Sequence, residues 1–231
     1  MPPGGEPMRP IAAGNGTEGG RSPGALEGCV ALVAGGAGEV GEGVVRTLLE
    51  AGAAVVVPSR SRERLEALAA RLEPGLRARL EGHELAVGTP EGAAELRRRI
   101  EPRGRLALVV ASLGAWWRGG PLTEIPLETW RRILDDNLTS HFVVARAFLP
   151  LVVSSGGTYV LLNGAASRIP VAGSGPVSVA ASAQIMLKDV LVAETRGTPA
   201  RGRTEPPRCA RAFCRRRSSR GASSPRPTAR R

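Results

Sequence analysis

The chain has 231 residues, a formal net charge of +11 and a pI near 11.3, values that would suit a binder of nucleic acid or anionic membrane. The charge is localised, however: Met1 to Glu194 carries 20 Lys and Arg against 20 Asp and Glu, while Thr195 to Arg231 holds 12 Arg and one acid, Glu205. A neutral body argues against a nucleic-acid or lipid footprint on the folded part, and three cysteines (Cys29, Cys209, Cys214) without paired or metal spacing argue against a disulfide scaffold or zinc site and for a reduced, cytoplasmic setting.

The length predicts one α/β domain, and with aromatics at 3% its core must be built from Val, Leu, Ala and Ile. Met1 to Glu27 is rich in Pro and Gly without apolar periodicity and reads as a disordered leader; no basic-then-apolar signal pattern opens it. Cys29 to Arg60, CVALVAGGAGEVGEGVVRTLLEAGAAVVVPSR, reads as strand, glycine turn, helix and strand. Gly35, Gly38 and Gly41 fall three apart between an apolar strand and an amphipathic helix (Val40 to Ala51), the context a dinucleotide-binding βαβ unit requires. The helix would aim free N–H groups and its positive dipole end at a pyrophosphate.

Ala54 to Val57 is the second strand, and Arg62 to Leu72 a helix with Leu65, Leu68, Ala69 and Leu72 at helical spacing. A third strand is expected at His83 to Val87, and a helix at Pro90 to Ile100 with proline in its first turn. Leu106 to Ala111 is an unbroken apolar fourth strand. Helices at Leu127 to Leu134 and Asn137 to Leu149, the latter stopped by Pro150, precede a fifth strand at Thr158 to Leu162 and a helix at Ser178 to Glu194. Ile169 to Leu187 carries no charge over 19 residues, but its Gly, Ser, Pro and Gln content predicts a buried loop and helix rather than a membrane span. Alternating strands and helices predict a Rossmann-like, doubly wound parallel sheet over 28–194, cut short near Glu194 and followed by a basic tail (195–231) too poor in apolar residues to order itself.

The glycine turn, VVVPSRSRERL after the second strand, PLTEIPLETWRRILDDNLTSHFVVARAFLP and the helix ending LVAE together resemble the short-chain dehydrogenase/reductase family. The resemblance implies a single-domain Rossmann oxidoreductase that binds NAD or NADP, moves hydride between nicotinamide and a small carbonyl or alcohol, and assembles as a homo-oligomer through its two long helices, with no specific nucleic-acid and no membrane partner. AGGAGEVG is similar to the G-x-x-G-x-x-G turn of the family's extended branch, since the common branch would need glycine at Glu39; Gly35, Gly38, Val40 and Gly41 are then the pyrophosphate contacts. Ser59 stands where an NAD-preferring member has an acid, and Arg60 follows it. Arg60 either pairs with a 2′-phosphate, which favours NADP over NAD, or is a solvated first-turn arginine. The family's adenine-contacting Asp after the third strand has no counterpart near Val87 or Gly88, and of its Asn-Asn-Ala-Gly after the fourth only Gly114 remains.

Of the family's catalytic groups, the asparagine that anchors a water relay matches Asn137, whereas Gly164, Val177 and Ala181 occupy the serine, tyrosine and lysine positions. The chain's one tyrosine, Tyr159, lies in a strand, and its one lysine, Lys188, on a later turn of the last helix. His141, one turn past Asn137, either faces the cleft or the core, and Trp116 and Trp117 either wall a substrate cleft or pack within their loop. Three functional readings stand: an NADP-dependent oxidoreductase with an altered site, a non-catalytic dinucleotide-binding or partner subunit, and a frame-shifted product. The tail is either an out-of-frame segment or a basic arm that binds nucleic acid by counterion release. Translating the gene in its other two frames past the codon for Glu194 is expected to show an apolar strand followed by Pro-Gly; absence of that pattern in both frames removes the frame-shift reading.

Overall fold

The computed structural model describes residues 24–103 and 106–196, so the leader up to residue 23 and the basic tail from residue 197 lie outside the described residues. Five strands, β1 (Val30–Ala34), β2 (Ala54–Ser59), β3 (Leu80–Glu84), β4 (Leu106–Ala111) and β5 (Thr158–Leu161), form one all-parallel sheet in the order β3-β2-β1-β4-β5. Between them run α1 (Glu39–Glu50), α2 (Arg62–Ala70), a single turn α3 (Pro74–Arg77), α4 (Pro90–Ile100), α5 (Leu127–Leu134), α6 (Ser140–Ser154) and α7 (Gly175–Thr195).

The unbroken apolar runs of the central strands are explained by helices on both sheet faces. Leu32, Ala34, Val56, Val109 and Ala111 meet α4 and α6 through Leu96, Ile100, Val144 and Phe148. Their neighbours Ala31, Val33, Val55, Val57 and Val110 meet α1 and α2 through Val45, Leu49 and Leu68. Each such Val, Leu, Ile or Phe side chain contributes about 1.5–3 kcal/mol when fully buried.

Three elements depart from the sequence expectation. β3 pairs Val55 with Leu80 through Ser59 with Glu84 and so lies three residues earlier than His83 to Val87. It is an edge strand, covered on few sides, and its sequence LEGHE lacks the apolar run that marked the others. The helix expected to stop before Pro150 continues to Ser154. A proline inside a helix costs about 3 kcal/mol, which the complete burial of Phe148 and Val152 around it offsets. α7 begins at Gly175 rather than Ser178, with Pro176 in its first turn, where a missing N–H is no loss. The span Leu127–Ser154 is long and apolar enough to cross a bilayer by composition, as is α7, but the apolar side of α6 covers the sheet.

The chain's two histidines are both buried polar groups. Nε2 of His141, on α6, lies 3.0 Å from the Leu113 carbonyl and donates to it, while burial holds the imidazole below its ordinary value of 6.5. His83, on β3, is likewise lowered by burial and then by the Arg99 guanidinium 3.3 Å from Nδ1; Glu81 lies 2.6 Å from Nε2 but off hydrogen-bonding geometry. Well above pH 6.5 both rings are neutral in the folded and unfolded chain alike, so they confer no pH dependence there. Below it the unfolded chain binds protons that the folded chain refuses, and stability falls as pH drops toward the depressed folded values. Unfolding free energy, read from urea midpoints, should therefore decline below pH 6.5 by at most about 1.4 kcal/mol per pH unit for each histidine. In His141→Leu the decline should be shallower; an equally steep profile would remove His141 as a cause. The carboxylates lowered by arginine or hydroxyl partners, Glu42, Glu63 and Glu95, lose their contribution only at more acidic pH, below 4.5.

Candidate functional site

A parallel sheet whose strand order reverses leaves a crevice at the carboxyl ends of the strands flanking the switch, here β1 and β4. A cleft of about 340 Å³ opens there, lined from the turn after β1, the end of β2, the loop after β3, the loop after β4 and the start of the segment joining α5 to α6.

The turn after β1 is shaped by the absence of side chains. Gly35 has φ +85°, and a Cβ on it would lie 2.0 Å from the Ser112 carbonyl oxygen; a Cβ on Gly41 would lie 2.1 Å from the carbonyl oxygen of Gly35. Gly38 precedes α1 as its N-cap with no capping side chain, so the first N–H groups of the helix are left for a ligand. Gly35 and Gly38 line the cleft. Val40 presents its side chain to solvent, 68% exposed, and neither it nor Gly41 is among the residues lining the cleft. Glu39, which would repel a phosphate, is exposed and does not line the cleft.

At the end of β2, Ser59 and Arg60 both line the cleft. The cleft also includes Arg64, which the sequence reading missed. Arg60 lies just before α2 and Arg64 in its first turn, four residues on. Neither guanidinium has an ion-pair partner among the described residues, whereas Arg62 between them pairs with Glu66 at 3.0 Å.

Gly114 lines the opposite wall with φ +115°, where a Cβ would lie 2.2 Å from Oδ1 of Asn137. That oxygen accepts from the Ala115 N–H at 3.2 Å, and Nδ2 donates to the Ile133 carbonyl at 3.0 Å. The Asn137 carbonyl in turn accepts from Nε2 of Gln184 on α7. Asn137 sits in a single π-helical turn, Asp135–Thr139, that joins α5 to α6. It is buried, stays off the cleft surface and braces the β4 loop against α7. Gln184 is a further residue that sequence reasoning did not single out.

The positions the resemblance assigns to serine, tyrosine and lysine lie outside the cleft lining. Gly164 is exposed, with nothing within 4 Å of where a Cβ would stand. Val177 and Ala181 are buried on α7, and the Ala181 carbonyl accepts from Nδ2 of Asn163 at 2.7 Å. Tyr159 has a buried hydroxyl without a partner among the described residues, and burial pushes its pKa upward. Lys188 pairs with Asp189 at 2.5 Å. His141 faces the core rather than the cleft. Trp116 is 63% exposed and Trp117 partly covered, and neither lines the cleft. Among the described residues no group of His, Cys, Asp and Glu could hold a metal ion.

The profile of the family described as short chain dehydrogenase matches residues 29–199. The oxidoreductase asL5 of Sarocladium schorii is 30% identical over 169 residues, which make up 71% of this chain and 64% of that protein. Dehydrogenase/reductase SDR family member 4 of Bos taurus is 28% identical over 73% of this chain and 61% of its own length. The chain thus spans a little over three-fifths of these two relatives. Among solved structures, a short-chain type dehydrogenase/reductase from Mycobacterium ulcerans is similar with a TM-score of 0.68 and 25% identity, covering 73% of this chain and 63% of that one. A metagenomic short-chain oxidoreductase in complex with NADP is similar with a TM-score of 0.67 and 25% identity, covering 74% and 78%. With the profile running from the first strand through the last helix, over a Rossmann sheet with its glycine turn in place, this chain belongs to the short-chain dehydrogenase/reductase family.

Proposed function

We propose that the protein binds NADP(H) in the cleft and does not turn it over, acting as a non-catalytic dinucleotide-binding member of its family. The observation that carries this reading is an uncapped glycine turn and two arginines, without ion-pair partners among the described residues, on one cleft. The N–H groups at the start of α1 would hold the pyrophosphate. Arg60 and Arg64 would hold the 2′-phosphate, a charge-assisted contact that NAD cannot make. Ser59, lacking a carboxylate, offers that phosphate no repulsion. The NADP complex of the metagenomic relative is in keeping with this choice.

Bound NADP(H) would bring a nicotinamide able to exchange hydride with a carbonyl or alcohol. A proton must move with that hydride, from a group of suitable pKa within hydrogen-bond reach of the reacting oxygen. Glycine, valine and alanine at 164, 177 and 181 supply none. His141 cannot replace them, because its Nε2 proton is committed to Leu113 and burial keeps the ring neutral. A small carbonyl or alcohol would then be at most a ligand.

The partner in this reading is a second copy, docking through α6 and α7. Phe142, Val179, Met186 and Val190 expose between 43% and 63% of their surface there, and the three on α7 recur at helical spacing. The setting is the reducing cytoplasm, where Cys29 stays a thiol.

Calorimetry with the full chain should show NADPH binding more tightly than NADH. Arg60→Ala and Arg64→Ala should each weaken NADPH by about tenfold and leave NADH unchanged. Over a panel of ketones and aldehydes, NADPH oxidation should not exceed the rate of the Asn137→Ala variant, and sedimentation should report a dimer or larger species. Robust ketone reduction would overturn the non-catalytic half of the proposal. Failure of both dinucleotides to bind at millimolar concentration would overturn the other half.

A further inference from the structure

If the cleft takes a dinucleotide as proposed, its two phosphate sites determine which wall is left for the base. One phosphate lies against the turn after β1 and the other against Arg60 and Arg64 at the end of β2. The remaining wall comprises the loop after β3, residues 85–89, with Leu113, Asp135, Asp136 and Ser140. Its two sides touch: a Cβ on Gly88 would stand 3.0 Å from Cβ of Ser140. Leu85 and Leu113 pack against the apolar cluster to which the buried Val87 belongs, so this wall presents uncharged surface to a ring.

The polar side chains of this wall are committed internally, with one exception. Thr89 Oγ1 caps α4, accepting from the Gly92 N–H at 3.2 Å and donating to the Ala86 carbonyl at 3.0 Å. Asp135 accepts from the Thr139 hydroxyl at 3.1 Å, and Ser140 donates to the Asp136 carbonyl at 2.7 Å. The carboxylate of Asp136 alone has no partner among the described residues. A free carboxylate in a cleft otherwise suited to phosphates repels the ligand unless the ligand turns a donor toward it.

We infer that Asp136 reads the base: its carboxylate accepts a hydrogen bond from the exocyclic amino group of an adenine whose ring lies between Val87 and Leu113. No carboxylate stands at Val87 or Gly88 to do so from the β3 side. Asp136 comes instead from the opposite wall, delivered by the π-helical turn. The consequence is selection for an amino purine over its oxo counterpart, because the O6 of hypoxanthine would face the carboxylate lone pair to lone pair.

The test compares NADP with nicotinamide hypoxanthine dinucleotide phosphate, which differs only in the base edge. The full chain should bind NADP at least about tenfold more tightly. In Asp136→Val, and in Asp136→Asn, whose amide can donate to O6, the two affinities should come within about twofold of each other. The conservative Asn variant keeps the comparison open if Val disturbs the turn, and circular dichroism confirms that each variant is folded. Equal affinity for both dinucleotides in the unaltered chain, or a preference that survives both substitutions, would overturn the role of Asp136 while leaving NADP binding intact. Binding of neither dinucleotide would instead bring down the reading on which it rests.

Discussion

A Cβ on Gly41 would stand 2.1 Å from the carbonyl oxygen of Gly35, and the rest of the site depends on that contact being backbone against backbone. It lets the first turn of α1 approach β1 more closely than any side chain would permit. The closeness sets the helix axis, and with it the direction of the N–H groups that no cap satisfies. Val45 and Leu49, one and two turns further along, are then carried onto the sheet face formed by Ala31, Val33, Val55 and Val57. The same contact that leaves those N–H groups uncapped thus also positions one of the two cores. A substitution at Gly41 would disturb binding and folding together, whereas one at Arg60 would disturb binding alone.

The other wall depends on a different device. A π-helical turn inserts one extra residue per hydrogen-bonded ring and leaves the backbone locally out of step with the α-helix on either side. Here it lies at Asp135–Thr139, and it places Asn137 inward toward the β4 loop and Asp136 at the cleft. Asn137 accepts from the Ala115 N–H with its side-chain oxygen, which lies close against Gly114, and accepts from Gln184 with its carbonyl, so the loop, the turn and α7 form one hydrogen-bonded unit. Its polar atoms are buried, and a buried amide is stabilising only when its partners are complete. His141, one turn on, adds a second bond to the same loop through Leu113.

These two devices differ in how they show in sequence. Glycines spaced between an apolar strand and an amphipathic helix announce the first, and long apolar runs such as VVV and LALVVA announce the central strands, because burial on both faces leaves no other pattern. Arg60 was legible by its position after β2. Arg64 was not, since a first-turn arginine on an exposed helix looks like any solvated charge until the cleft is seen. β3 was misplaced because an edge strand has neither a continuous apolar run nor a strict alternation. The extension of α6 past Pro150 was hidden because a local rule about proline was outweighed by tertiary burial of Val152. The π turn has no periodicity of its own, so Asp136 and Gln184 could be recognised only once the chain had brought α5, α6 and α7 together.

On the proposed reading, the separation of these elements lets a nucleotide cleft persist beside a site without a proton donor. The cleft draws its polar groups from the ends of β1 to β4 and the π turn, while residues 164, 177 and 181 belong to the β5 side and α7. A tyrosine and a lysine at 177 and 181 would each bring a polar group to positions now nearly closed to solvent, and such groups are costly to bury unless fully partnered. Valine and alanine there carry no such demand. What keeps α7 in register is then Gln184 on the Asn137 carbonyl and Asn163 on the Ala181 carbonyl, two bonds that do not involve the cleft. On the proposed reading, the chemistry of the family can lapse on one side of the switch point while the binding geometry on the other side is left undisturbed.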